Sequence, residues 1–239
     1  MLFRSLARLF QVDRRIVFVA VFLTILIPML FPFSLPIRTT RHTRAVFEAI
    51  EEAVRKGRPV IVSLDFDPTG AAEQEPMARA VVRHLFARGG KLVALGGNLS
   101  GQDLHERLLA DCAQEYGAVA GVNYVYMPFK PGAGGMLVIN MAQDFASAYP
   151  EAREQPLTRD IVSLRDFDYA LIFATGLGYV VNWINYAQGP CGLKLGAALP
   201  GQMAPDVYNY VNSGQLTGLL GGLVGAAEYE RLLKDNGLG

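Results

Sequence analysis

The residues of this chain best placed for chemistry stand where apolar runs stop. Pro59–Phe66 is almost wholly apolar and delivers Asp65, Asp67 and Thr69 in an Asp-x-Asp-x-Thr order. Gly97 and Asn98 follow Lys91–Gly96, and Lys130 follows Val122–Phe129. Gly176 follows Phe167–Thr175, and Gln202 follows Leu193–Leu199. In an open parallel sheet, ligands bind beyond the carboxyl ends of the strands. Asp67, Asn98, Lys130 and Gln202 therefore form a candidate ligand-binding set. The plainer role for the strand-end aspartates is to cap the helix beginning near Ala71, where the helix dipole favours Glu73 and Glu75 in the first turn.

Other constellations are weaker. Gly132-Ala133-Gly134-Gly135 lies between two apolar runs and reads first as a tight hairpin turn, or else as an anion nest with Lys130 nearby. Neither a Walker loop nor a G-x-G-x-x-G opening a helix is present. His84 and His105, two of the three histidines, fall on helical segments with charged neighbours, where solvated faces are usual. Cys191 sits in Gly189-Pro190-Cys191-Gly192, and with Cys112 it fits either one disulfide or two thiols. No spacing of His, Cys, Asp and Glu suggests zinc, so no metal is expected. Lys and Arg (22) balance Asp and Glu (22), which argues against a nucleic-acid partner.

The elements that must position these residues alternate. A short helix within 38–58 carries Val46, Phe47, Ile50 and Val54 at helical spacing and ends at Gly57; it reads as a linker. Strands follow at Pro59–Phe66, Lys91–Gly96, Val122–Phe129, Phe167–Thr175 and Leu193–Leu199. Helices lie between them at about Ala71–Arg88, Gln102–Tyr116 and Tyr179–Ala187, with Pro205–Val211 after the last strand. This order predicts a three-layer α/β sandwich over 59–239 with a mostly parallel sheet, flavodoxin-like or Rossmann-like.

Before it, Ile16–Ile37 is uncharged and apolar, with Arg4, Arg8, Arg14 and Arg15 ahead and Arg38, Arg41 and Arg44 behind. About 20 apolar residues rise roughly 30 Å as a helix, the thickness of a bilayer core. Residues 1–37 thus read as a single-pass membrane anchor. Pro28, Pro32 and Pro36 would kink its exit. The arginines bias the N-terminus weakly toward the cytoplasm, leaving the domain extracytoplasmic on the inner cell membrane. Towards the other end, Gly214, Gly218 and Gly222, and likewise Gly221 and Gly225, recur every four residues, a spacing that suits a close-packed interface.

Two resemblances follow. The apolar run ending in Asp65-x-Asp67-x-Thr69 is similar to the opening motif of haloacid-dehalogenase-type phosphatases. That likeness implies Asp65 as nucleophile, Asp67 as acid/base, Mg²⁺ screening the charges and Lys130 as a stabilising cation. The acidic pair expected after a later strand is replaced here by Gly176-Leu177-Gly178.

The second rests on three blocks: Asp65-Phe66-Asp67-Pro68 with Glu73–Met77 and Arg83-His84; Asn123–Tyr126 with Lys130-Pro131-Gly132; and Tyr210–Leu216 running into Gly221–Leu223 and Gly225–Glu230. Together they resemble an uncharacterised family of bacterial and archaeal membrane-anchored α/β proteins without assigned activity. The likeness implies a second membrane span after the last block. The expectation is a membrane-anchored, non-catalytic binding or scaffolding subunit, either a homo-oligomer or one among other membrane subunits. The alternatives are a Mg²⁺-dependent phosphatase-like hydrolase and a small-ligand sensor.

Overall fold

A computed structural model describes residues 13–31, 38–131 and 134–238. It divides into two units, Met1–Ile37 and Arg38–Gly239.

In the first unit, helix α1 (Arg14–Leu30) is capped by Asp13, whose carboxylate accepts the Arg15 N–H at 2.9 Å. None of its residues is buried, and Pro28 falls in its last turn. The expected transmembrane span finds no support in this helix alone. The helix has 17 residues, a rise of about 25 Å against a bilayer core of about 30 Å. Among the described residues, no helix is long and apolar enough to cross a membrane. The remainder of the expected span, Pro32–Ile37, lies outside the described residues.

The second unit is built on six parallel strands in the order β3-β2-β1-β4-β5-β6. These are β1 (Val60–Asp65), β2 (Leu92–Gly96), β3 (Tyr124–Met127), β4 (Tyr169–Ala174), β5 (Lys194–Leu199) and β6 (Gly218–Gly221). β1 and β4 are buried along their whole length, as a sheet covered on both faces requires. Their register pairs Val60 with Tyr169 and Asp65 with Ala174. The strand order is that of the doubly wound Rossmann arrangement and not of flavodoxin.

Long helices cover one face: α2 (Arg41–Arg55), α3 (Ala71–Ala87), α4 (Gln102–Tyr116) and α9 (Gly222–Asp235). The other face carries α5 (Gly135–Gln143), α6 (Phe145–Ala148), α7 (Leu177–Trp183) and α8 (Tyr208–Asn212). Between α7 and β5 the chain makes a π-helical turn over Ile184–Gln188 and a helical turn over Gly189–Cys191.

Several expectations are corrected. Helix α2 belongs to the domain and is not a linker: it buries Val46, Phe47 and Ile50 in the core. Its N-terminus is tied to α9 by Glu228, which accepts from Thr40 N–H (3.0 Å), Thr40 Oγ1 (2.7 Å) and Thr43 Oγ1 (2.6 Å). Met136–Met141 is helical within α5, so the glycine-rich turn makes no hairpin. Gly132 and Ala133 lie outside the described residues.

The fourfold glycine spacing also does not form one helix face. Gly214 is in an exposed turn, Gly218 and Gly221 bound β6, and only Gly222 and Gly225 are on α9. A Cβ on Gly218 would collide with the His42 carbonyl and Val46, so glycine there lets α2 lie directly on the edge strand. Cys112 and Cys191 are free and belong to opposite faces of the sheet, which excludes the disulfide alternative.

Candidate functional site

In this topology the chain builds β1 to β3 outward, then returns to place β4 on the other side of β1. The carboxyl ends of β1 and β4 flank the switch point where doubly wound sheets bind ligands. A cleft lies beside the end of β1 on the short-helix face. Ser63 and Asp65 come from β1, and Leu95, Gly96 and Gly97 from the end of β2. Helix α5 supplies Leu137, Val138 and Met141, α7 supplies Tyr179, Asn182 and Trp183, and Tyr149 and Gly134 complete the lining. Its volume is about 20 Å³, room for one group the size of a water molecule.

Strand periodicity explains how a carboxyl group comes to be there. Alternate residues of β1 point to opposite faces, so Ser63 and Asp65 share the short-helix side while Leu64 and Phe66 enter the other core. Asp65 is 5% exposed. Burial pushes its carboxyl up to about 7, offset in part by the Ser63 hydroxyl, which donates to it at 2.8 Å. Gly97 is obligatory here because any Cβ would overlap the Asp65 carboxylate. Tyr149 is fully buried and its hydroxyl meets no hydrogen-bond partner among the described residues.

The sequence-predicted site residues do not converge on this cleft, Asp65 excepted. Asp67 Oδ1 accepts from Thr69 N–H (2.9 Å), Thr69 Oγ1 (2.5 Å) and Gly70 N–H (3.2 Å), and these bonds hold its carboxyl below the ordinary range. It closes the turn ahead of α3, which is the capping role. Asn98 accepts from Ser100 N–H at 2.9 Å and opens the 3₁₀ turn Leu99–Gly101. Lys130 pairs with Glu151 at 2.9 Å, its Nζ 5.7 Å from the centre of the Tyr149 ring. Gln202 is exposed in the loop after β5. Glu73 accepts from Gly201 N–H at 2.9 Å, joining α3 to that loop.

The phosphatase-like arrangement therefore fails on geometry. Asp65 and Asp67 are committed to different environments, and Lys130 is neutralised by Glu151. Among the described residues, no three His, Cys, Asp or Glu side chains gather as metal ligands. Asp65 is the only carboxylate among the described residues that lines the cleft, a donor set that does not fit Mg²⁺.

Both helical histidines are buried, not solvated. The Glu51 carboxylate can only accept, so His84 Nε2 donates to it at 2.8 Å and Nδ1 accepts from the Tyr229 hydroxyl at 2.7 Å. His105 Nε2 donates to the Phe66 carbonyl at 2.9 Å, and burial pushes the ring down to about 4.

Ser63 was legible as the one hydroxyl inside an apolar strand, two residues before Asp65 and hence on its face. Tyr149 and Asn182 carry no local signal, because the fold brings them in from segments remote in sequence. Comparison with protein-family models and with curated proteins found no match.

Proposed function

We propose that the chain is a membrane-anchored α/β domain that binds a small molecule in the cleft at the end of β1. One observation carries the reading: a buried carboxyl with a single hydroxyl donor lines the same narrow cavity as a buried tyrosine whose hydroxyl has no partner among the described residues. Each unsatisfied buried polar group costs about 1–3 kcal/mol. Such departures from a fully satisfied interior concentrate where function demands them. The π-helical turn that directly follows Trp183 adds support, since π-bulges recur at functional sites.

The membrane part rests on α1. It is apolar around its circumference, it buries nothing, and arginines flank the apolar run of which it is part. We place the N-terminus on the cytoplasmic side of the inner membrane and the domain outside. Resistance of the full-length chain to alkaline carbonate extraction tests the anchor, and its recovery in the soluble fraction refutes it. The scaffolding alternative has less behind it, because Gly218, Gly222 and Gly225 are occupied by contacts inside the domain.

The binding reading is tested on full-length protein in mild detergent, by thermal shift and NMR against a panel of small polar molecules. A true ligand raises the midpoint of the wild type, moves the Asn182 side-chain resonances and loses its effect in Asp65→Leu. A ligand that stabilises Asp65→Leu and wild type equally binds elsewhere and overturns the proposal. Tyr149→Phe is the second variant should Asp65→Leu fail to fold.

A further inference from the structure

Resting on that reading, the geometry points to the class of ligand. We infer that the cleft takes the carboxylate end of a short aliphatic acid, held between the N-terminus of α5, the Tyr149 hydroxyl and the Asp65 carboxyl group.

Three observations lead there. Helix α5 has nine residues, its N-cap is Gly134, no side chain among the described residues caps it and its first turn holds no acidic residue. The main-chain amides of its first turn and the positive end of its dipole are thus available to an anion, and Gly134 itself lines the cleft. Independently, the fully buried Tyr149 lines the same cavity, its hydroxyl unpartnered among the described residues. Asn182 offers a further amide from α7: its Nδ2 lies 3.6 Å from where a Gly134 Cβ would stand. Every group except Asp65 is thus able to donate, and Asp65 donates as well when it carries its proton. A cation would meet the wrong end of α5.

Size and lining narrow the class. A volume of about 20 Å³ has room for one oxygen of a terminal anion and leaves the rest of the ligand at the mouth of the cleft. Leu95, Leu137, Met141 and Trp183 offer apolar walls to a short hydrocarbon chain.

Among the described residues, the other ionisable groups lining the cleft are Tyr149 and Tyr179, with the Lys130–Glu151 pair against the Tyr149 ring. Burial raises Tyr149 above the ordinary tyrosine range. Asp65 is thus the group that gates binding near neutral pH. Deprotonation would place two carboxylates against each other, so the affinity should fall about tenfold per pH unit above 7.

The experiment is calorimetric titration of full-length protein in detergent with butyrate at pH 6 and pH 8, in two buffers of different ionisation enthalpy. The inference expects saturable binding at pH 6, weakening of about tenfold or more at pH 8 and net proton uptake. It expects Asp65→Asn, whose amide still donates, to bind with no such pH dependence, and Tyr149→Phe to bind more weakly at both. Binding of phosphate instead of butyrate, or of methylammonium with affinity that rises with pH, overturns the carboxylate assignment and leaves the binding cleft standing. Butyrate binding that is unchanged in both variants places it outside the cleft and overturns the inference. If butyrate, phosphate and methylammonium all fail and the wider panel finds nothing dependent on Asp65, the binding function falls with it.

Discussion

The face carrying α2, α3, α4 and α9 and the face carrying α5 to α8 pack on the same six strands, yet the two buried histidines lie under the first and the buried strand-end Asp65 under the second. Helices of 15, 17, 15 and 14 residues cover the first face, against 9, 4, 7 and 5 on the second. The first buries His84 and His105, and burial lowers both, while its buried carboxylate, Glu228, takes three hydrogen bonds from Thr40 and Thr43. The second buries an acid, Asp65, and burial raises it. The first face has unpartnered polar atoms too, at Gln74, His105, Tyr126 and Tyr169, but none of these residues lines the Asp65 cleft. A long unbroken helix seals the sheet beneath it. Short pieces joined by turns leave a gap at the strand ends, and the acid stands in that gap.

The difference gives opposite pH dependences. Folded Asp65 holds its proton to about pH 7, whereas in the unfolded chain it releases it near its ordinary 3.8. The folded state binds more protons between these values, so this group's contribution to stability is lost as pH rises through that window. Asp65→Asn removes the loss. Its unfolding free energy, taken as a difference from wild type, should climb from pH 4 to 7 by up to about 4 kcal/mol and then level off. Urea titrations at half-unit intervals measure this, and a flat difference curve would mean that Asp65 ionises normally and that the cleft is wet.

His105 runs the other way. Its ring takes a proton at 6.5 when unfolded and at about 4 when folded. Stability is therefore lost as pH falls from 6.5 towards 4, by up to about 3 kcal/mol. His105→Gln keeps a donor for the Phe66 carbonyl and should become more stable relative to wild type as pH falls across that window. If both variants give difference curves of the same sign, the contrast between the faces is wrong.

The sequence carried the long-helix face well and the other face poorly, for physical reasons. Buried parallel strands announce themselves as apolar runs, and α4 announces its end through Gly117, which takes the left-handed conformation at φ 67°. β6 did not, because Gly218–Gly221 contains only two side chains to read and Gly218 serves close approach to α2. Met136–Met141, now within α5, passed for one arm of a hairpin because an apolar stretch of that length has no distinguishing period. At the site, Asp65 was found and its neighbours were not. Asp67, Asn98 and Lys130 sit at strand ends as expected, but each has a nearby partner that uses it up. The histidines were misjudged for a related reason: charged neighbours in sequence say little about the face on which a residue lies.

Two hydroxyl deletions sharpen the comparison at the smallest scale. Tyr229→Phe leaves His84 Nδ1 buried without its donor, and it should destabilise the domain by about 1–3 kcal/mol. Tyr149→Phe deletes a hydroxyl that has no partner among the described residues, so nothing is orphaned and a desolvation cost is relieved. It should leave stability unchanged or raise it by up to about 1 kcal/mol while weakening whatever binds the cleft. Urea midpoints for both variants, taken without added ligand, decide the matter. A destabilised Tyr149→Phe would mean that this hydroxyl is already satisfied in the free protein, and the short-helix face would then be as complete as the other.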